Sequence, residues 1–282
     1  RKQEVLVLDN LSTGNIDNLK DVKGKFKFVK ADIKSVASIK KHFQGIDFVL
    51  HQAAIRSVPK SVDNPKIVND NNITGTLNVL LASRDARVKR LVFASSSSVY
   101  GDVASVNKES LAPNPQSPYA LTKLTGEYYC ELFTRLYGLE TIALRYFNVY
   151  GPYQHPESKY SAAIPIFTKL LQENKKPTIF GSGGQARDFT FIDDIVSANL
   201  LAAKAPKKAV GEFYNIGAGG KPVTVNEVFR LIARELKKEN IKPIYEEVRL
   251  GDVFKTQAQI SKAQEMINFN PKIKITQGIK KY

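Results

Sequence analysis

Tyr119 and Lys123 stand four residues apart in the segment Ser117-Pro118-Tyr119-Ala120-Leu121-Thr122-Lys123. Ser117 as N-cap and Pro118 at the first helical position predict a helix start there. The spacing then puts the phenol and the ammonium on one helix face, one turn apart. Upstream, Leu91-Val92-Phe93-Ala94-Ser95-Ser96-Ser97-Ser98-Val99-Tyr100-Gly101 reads as a buried parallel strand closing in small hydroxyl residues. Ligands of open α/β sheets bind beyond such strand ends, so Ser96 can meet the tyrosine and the lysine. A phenol with a pKa of about 10 is a poor base at neutral pH, but a neighbouring cation stabilises the phenolate. Lys123 is placed to be that cation, and Ser96 to hydrogen-bond the same substrate oxygen. The trio suits removing a proton from an alcohol while hydride leaves the same carbon. A Tyr-x-x-x-Lys pair alone is common on helix surfaces, and a serine run alone is usually a turn; the two in this order are much rarer.

With these residues in place, the chain resembles an extended short-chain dehydrogenase/reductase. The branch is that of the UDP-sugar 4-epimerases, acting on UDP-glucose or UDP-N-acetylglucosamine, and the resemblance runs from Val5 to the last residues. It implies an α/β fold, a Rossmann-type doubly wound parallel sheet with a smaller C-terminal substrate lobe. The NAD-binding part is expected over 1–150 with a returning segment near 188–204, and the lobe over most of 151–282. It also implies Ser96, Tyr119 and Lys123 as the catalytic set, with Lys123 lowering the tyrosine pKa and holding the nicotinamide ribose.

Composition bounds the partners. A chain of 282 residues, 43% hydrophobic, can bury one large α/β domain or two intimately packed ones. No apolar run is long enough to span a bilayer, and no secretory signal is expected. The single cysteine, Cys130, excludes an internal disulfide framework and fits a reducing cytosol, so a cytoplasmic, membrane-free protein is expected. His42, His51 and His155 show no metal-ligand spacing, and no metal is expected. The net charge of +15 is spread along the chain without an aromatic-interleaved basic motif, which argues against a nucleic-acid partner. Lys204, Lys207 and Lys208 read as a solvated helix end.

Along the chain, Glu4-Val5-Leu6-Val7-Leu8-Asp9 is a short strand ending in an acid. In a dinucleotide-binding fold that acid accepts from the adenosine ribose and follows a glycine-rich turn by about 20 residues. Only eight residues precede Asp9. The first strand, glycine loop and first helix are therefore absent from this sequence, and a longer natural protein is expected. By resemblance, Asp9-Asn10 is the second-strand exit, which prefers NAD over NADP, and Asp32-Ile33 faces adenine. The small residues around Ala53 let backbone approach the cofactor, while His51 reads as structural. Asn72, opening a helix that runs to about residue 86, resembles the family's active-site asparagine beside the cofactor. Arg56 occupies a pocket-lining position near the substrate edge.

The helix that begins at Ser117 runs to Tyr137 and ends at Gly138. The following strand leads into Arg145-Tyr146-Phe147-Asn148, whose Asn148 corresponds to a nucleotide-sugar contact. Arg187 and Arg249 resemble the arginines that grip the substrate diphosphate, work suited to a planar guanidinium fork. The glycines in Gly181-Ser182-Gly183-Gly184 read as a hairpin turn, and Asp193-Asp194 as caps of the next helix.

Ser97-Ser98 replaces the acid that related dehydratases and decarboxylases carry before Val-Tyr-Gly, so return of hydride with C4 inversion is the implied outcome. Thr256 stands where glucose-only members tend to carry a bulky tyrosine, leaving room for an N-acetyl group. The substrates implied are UDP-N-acetylglucosamine/UDP-N-acetylgalactosamine and UDP-glucose/UDP-galactose. A UDP-glucuronate 4-epimerase, whose C6 carboxylate would meet Arg56, and a non-catalytic NAD(P)-binding regulator are the alternatives. By the same resemblance, a homodimer is expected to pair through helices 73–86 and 119–137.

Overall fold

The computed structural model describes residues 3–22, 24–103, 106–154, 163–248 and 254–282. At its centre four parallel strands lie in the order Phe213–Ile216, Glu140–Tyr146, Arg90–Ser96 and Phe48–His51. The strands Phe213–Ile216, Glu140–Tyr146 and Arg90–Ser96 each face two cores by simple alternation. Leu91 and Phe93 pack with Ile39, Leu80 and Phe133 on one face. Val92 packs with Leu144, Ile195 and Ala198 on the other. Both faces are therefore covered by helices, which is why these strands read as near-continuous apolar runs. This is the doubly wound, Rossmann-type architecture expected.

A second parallel pair joins Leu6–Asp9 to Lys27–Lys30. Among the described residues no ladder joins it to the Phe48–His51 strand. Phe48 and Leu50, two apart and so on one face of that strand, are exposed. The smaller lobe has its own core of Ile164, Phe167, Val228, Phe229 and Ile232. The helix Ile192–Ala203 packs on the sheet through Ile195, Ala198 and Ala202. The strand Phe213–Ile216 joins the sheet itself and completes its four strands, a crossing that sequence reading did not foresee.

The helix Pro118–Tyr137 begins and ends as expected. The Ser117 hydroxyl accepts from the Ala120 amide at 3.1 Å. Gly138 closes the helix in the left-handed conformation, φ +70°. Opposite its middle, Gly126 leaves no room for a Cβ against the Phe93 ring, so the helix lies directly on the Arg90–Ser96 strand.

Two local readings are corrected. The glycine turn does not close a hairpin: Thr178–Phe180 pairs with Ile244–Glu246, whereas Ala186–Arg187 pairs with Val223–Thr224. Positive φ at Gly181 and Gly183 makes the turn without choosing partners for its flanks. Asp194 caps nothing in its own helix; its carboxylate accepts from the Lys272 and Ile273 amides at 2.9 and 3.1 Å and ties down the chain's last segment.

Candidate active site

The C-terminal edge of the central sheet gathers the predicted trio. Ser96 is the last residue of its strand, and its Oγ accepts from the Ser98 amide at 3.2 Å and the Ser98 hydroxyl at 2.9 Å. Tyr119 sits in the first turn of the helix laid across that strand. Lys123 is buried one turn on, its Nζ donating to the Ala94 carbonyl at 2.7 Å and lying 5.9 Å from the centre of the Tyr119 ring.

The electrostatics differ from the sequence expectation. Burial raises the Tyr119 pKa above its ordinary value, with the nearby Ser96 hydroxyl and the Arg56 charge pulling the other way. Lys123 is not among the groups that hold the phenol down. Burial instead brings Lys123 down to about 8, against the attraction of Glu127. The expectation that Lys123 lowers the tyrosine pKa is thus corrected for the protein by itself. The reason is geometric: the ammonium is drawn to a strand carbonyl.

Around this trio the other predicted residues divide into two groups. On the cofactor side, Asp9 ends its strand and accepts from the Leu11 amide at 2.6 Å through Oδ1. Asn10 Nδ2 donates to Asp32 Oδ2 at 3.2 Å, which brings both strand exits together. Burial tends to raise the Asp32 pKa, but the Lys34 amide, the Asn10 amide and the Lys34 ammonium outweigh it and hold the carboxyl low. Ala53 is exposed just past the third exit. These groups suit NAD: a carboxylate acceptor for a ribose diol, a second acceptor for an adenine amino group, and a small residue for close approach.

Two predicted cofactor contacts turn inward. The Ile33 side chain is buried against Gly75. Asn72 is buried in a π-helical turn, Asp70–Thr74. Its Oδ1 accepts from the Ile55 amide at 2.8 Å, and its Nδ2 donates to the Ile55 carbonyl and Thr122 Oγ1, both at 3.0 Å. Asn72 therefore positions the Arg56 loop against the catalytic helix, and its side chain has no donor left for a cofactor.

On the substrate side, Asn148 Nδ2 donates to Thr256 Oγ1 at 3.0 Å, so two positions far apart in sequence share one hydrogen bond. Arg187 is half-buried on a short strand beside them and donates to the Phe254 carbonyl at 3.2 Å. Arg249 lies outside the described residues. His51 is structural as read: it is buried, hydrogen-bonded to Thr76 Oγ1 at 2.9 Å, and pushed down to about 3 by burial and by Lys123. Among the described residues no group of side chains could hold a metal.

Sequence reading missed Ser95 and Glu127. Glu127 continues the 119–123 spacing by one more turn, which was the available signal. Its carboxylate takes both Arg145 Nε at 2.8 Å and Arg145 Nη2 at 2.6 Å, and the Ser95 hydroxyl donates to it as well.

Comparison with known proteins agrees with this geometry. The family described as "NAD dependent epimerase/dehydratase family" matches residues 1–217. The chain is 39% identical to a UDP-glucuronate 4-epimerase of Thermodesulfobacterium geofontis, over 91% of this chain and 78% of that protein. It superposes with a TM-score of 0.93 and 36% identity on a UDP-N-acetylglucosamine 4-epimerase from Methanobrevibacter ruminantium in complex with UDP-N-acetylmuramic acid, covering 98% of this chain and 88% of that one. A UDP-glucose 4-epimerase from Thermotoga maritima, with UDP-glucose, gives the same score at 35% identity, with 99% and 89% covered. By its fold, its Ser-Tyr-Lys edge and these likenesses, the chain belongs to the NAD dependent epimerase/dehydratase family.

Proposed function

We propose that the protein is an NAD-dependent 4-epimerase of a UDP-hexose, with Ser96, Tyr119 and Lys123 as its catalytic residues. The observation that carries this reading is their convergence at one sheet edge without an added carboxylate, since Ser97 and Ser98 follow Ser96 directly. Bound NAD would supply a hydride acceptor and donor at C4, and its charged ring would add to the Arg56 charge that favours the Tyr119 phenolate. Asp9, Asn10 and Asp32 hold its adenosine end. Tyr119 as phenolate takes the 4-hydroxyl proton, directly or through Ser96, leaving a 4-keto sugar. Arg187, Arg249 and Asn148 keep the nucleotide in place while the sugar turns its other face, and Tyr119 then returns the proton.

The small Thr256, occupied by the Asn148 amide, favours an N-acetylated sugar. Arg56 favours a second reading, UDP-glucuronate, because its guanidinium acts on the reacting phenol and would pair with a C6 carboxylate. Incubation with each UDP-sugar, followed through the anomeric proton signals by NMR, separates the two. An N-acetylhexosamine epimer supports the first, turnover of UDP-glucuronate alone supports the second, and no epimer from any UDP-sugar refutes both. Tyr119→Phe should lower turnover by about 10²–10⁴-fold while leaving UDP binding intact.

Pairing of two copies through the Pro118–Tyr137 helix is part of the same proposal. That helix exposes Leu121, Tyr128 and Leu136, and neighbouring short helices expose Val62 and Ile67. Sedimentation as a monomer would refute it. A cytoplasmic location fits the unpaired, buried Cys130. Among the described residues no helix is long and apolar enough to cross a membrane.

A further inference from the structure

The strand carrying Ser96 is tied to the catalytic helix at consecutive residues. Ala94 accepts from Lys123, and Ser95 donates to Glu127. Glu127 is buried, and its two oxygens are taken by an equally buried Arg145. Arg145 comes from the next strand, where it is the direct cross-strand partner of Ser95. Its guanidinium is fixed between two rings, 4.7 Å from the centre of Tyr100 and 3.9 Å from that of Phe213. Among the described residues its Nη1 has no hydrogen-bond partner. A buried ion pair with an orphaned donor is a costly way to hold a sheet together. Its place, one helical turn behind Lys123, suggests another purpose.

We propose that Glu127 is a positioning residue for Lys123: fixed by Arg145 and Ser95, it sets negative charge one turn behind the ammonium and so keeps Lys123 a cation beside the edge where Tyr119 reacts. The inference rests on the catalytic reading of Tyr119 and Lys123. The other groups facing Lys123 offer no such charge. Tyr119 and Cys130, on the same helix, are held neutral by burial, and so is His51 on the Phe48–His51 strand. Arg145 behind Glu127 is a further cation. Burial brings Lys123 down to about 8, and the Glu127 carboxylate is the foremost group opposing it, ahead of Cys130.

The test follows the titration of Lys123 in the intact enzyme by NMR of ¹³Cε-labelled lysine, with the signal assigned by its loss in Lys123→Met. In Glu127→Gln the midpoint should fall by about 1 unit or more, as expected for losing a close opposite charge. The alkaline limb of the pH–rate profile should move down with it, and Glu127→Asp should restore both in part. Should the single variant fail to fold around an unpaired Arg145, the double variant Glu127→Gln/Arg145→Met removes both charges. The midpoint should still fall, but by less, because the more distant Arg145 cation is lost as well, and an unmoved or raised midpoint would count against the proposal. An unmoved midpoint, with turnover lowered evenly at all pH values, would overturn the proposal and leave Glu127 a packing residue. Full turnover in Lys123→Met would instead refute the catalytic reading, whatever the titration shows.

Discussion

Two arginine–glutamate pairs stand at opposite ends of the sheet and are built differently: Arg90–Glu140 joins the two central strands, whereas Arg145 reaches from a strand to Glu127 on the helix Pro118–Tyr137. At the N-terminal edge Arg90 and Glu140 are cross-strand partners. Arg90 Nε and Nη2 reach Glu140 at 3.0 and 2.6 Å, and Nη1 donates to the Ala202 and Ala205 carbonyls at 2.9 and 2.7 Å. Glu140 keeps 28% of its side chain in solvent. The charge is thus partly hydrated and also serves a helix C-terminus, where cations are favoured. At the C-terminal edge the Arg145–Glu127 pair keeps 1% and 3% of its side chains in solvent, and a donor is left unused. The first arrangement is what stability alone selects. The second accepts a desolvation cost at the edge where the reactive groups stand.

Breaking the two pairs should therefore give unequal results. Arg145→Met leaves a buried carboxylate unpaired and should cost about 3–5 kcal/mol in urea unfolding, with turnover falling beyond what the lost fold explains. The acid sensitivity of the same edge should come next. His51 is held neutral when folded, at about 3, against an ordinary value near 6.5. The unfolded chain therefore binds a proton that the native state refuses, and stability present above pH 6.5 is lost as pH falls toward 3. Between pH 7 and 5 this accounts for about 2 kcal/mol, a loss that His51→Gln should remove. Glu140→Gln should have the smallest effect, about 1 kcal/mol for a partly hydrated pair, with turnover unchanged. A Glu140→Gln enzyme as impaired as Arg145→Met would erase the distinction between the two edges.

What could be read from sequence follows the range of each interaction. The Ser117 start and the Gly138 stop of the catalytic helix are local signals, and both hold. The 119–123 spacing is local too, and it placed the phenol and ammonium on one face. The Arg145–Glu127 pair depends on the register that sets Ser95 against Arg145, which no local pattern encodes. The same limit explains Asp194, read as a helix cap yet spent on amides at 272 and 273. It also explains Asn72, read by resemblance as an asparagine beside the cofactor and found in the fold clamping the Ile55 backbone. Asn148 and Thr256 came forward through family resemblance; that they touch each other emerges only in three dimensions.

The direct test of the central claim is the fate of the C4 hydrogen. UDP-N-acetylglucosamine, UDP-glucose and UDP-glucuronate carrying deuterium at C4 would be incubated with the enzyme and NAD in ordinary water, and the epimer formed analysed by NMR and mass spectrometry. Hydride removal and return predicts that the deuterium stays on C4 of the inverted sugar. Its loss to solvent would mean that C4 gives up a proton instead, and would contradict the roles given to Tyr119, Lys123 and NAD.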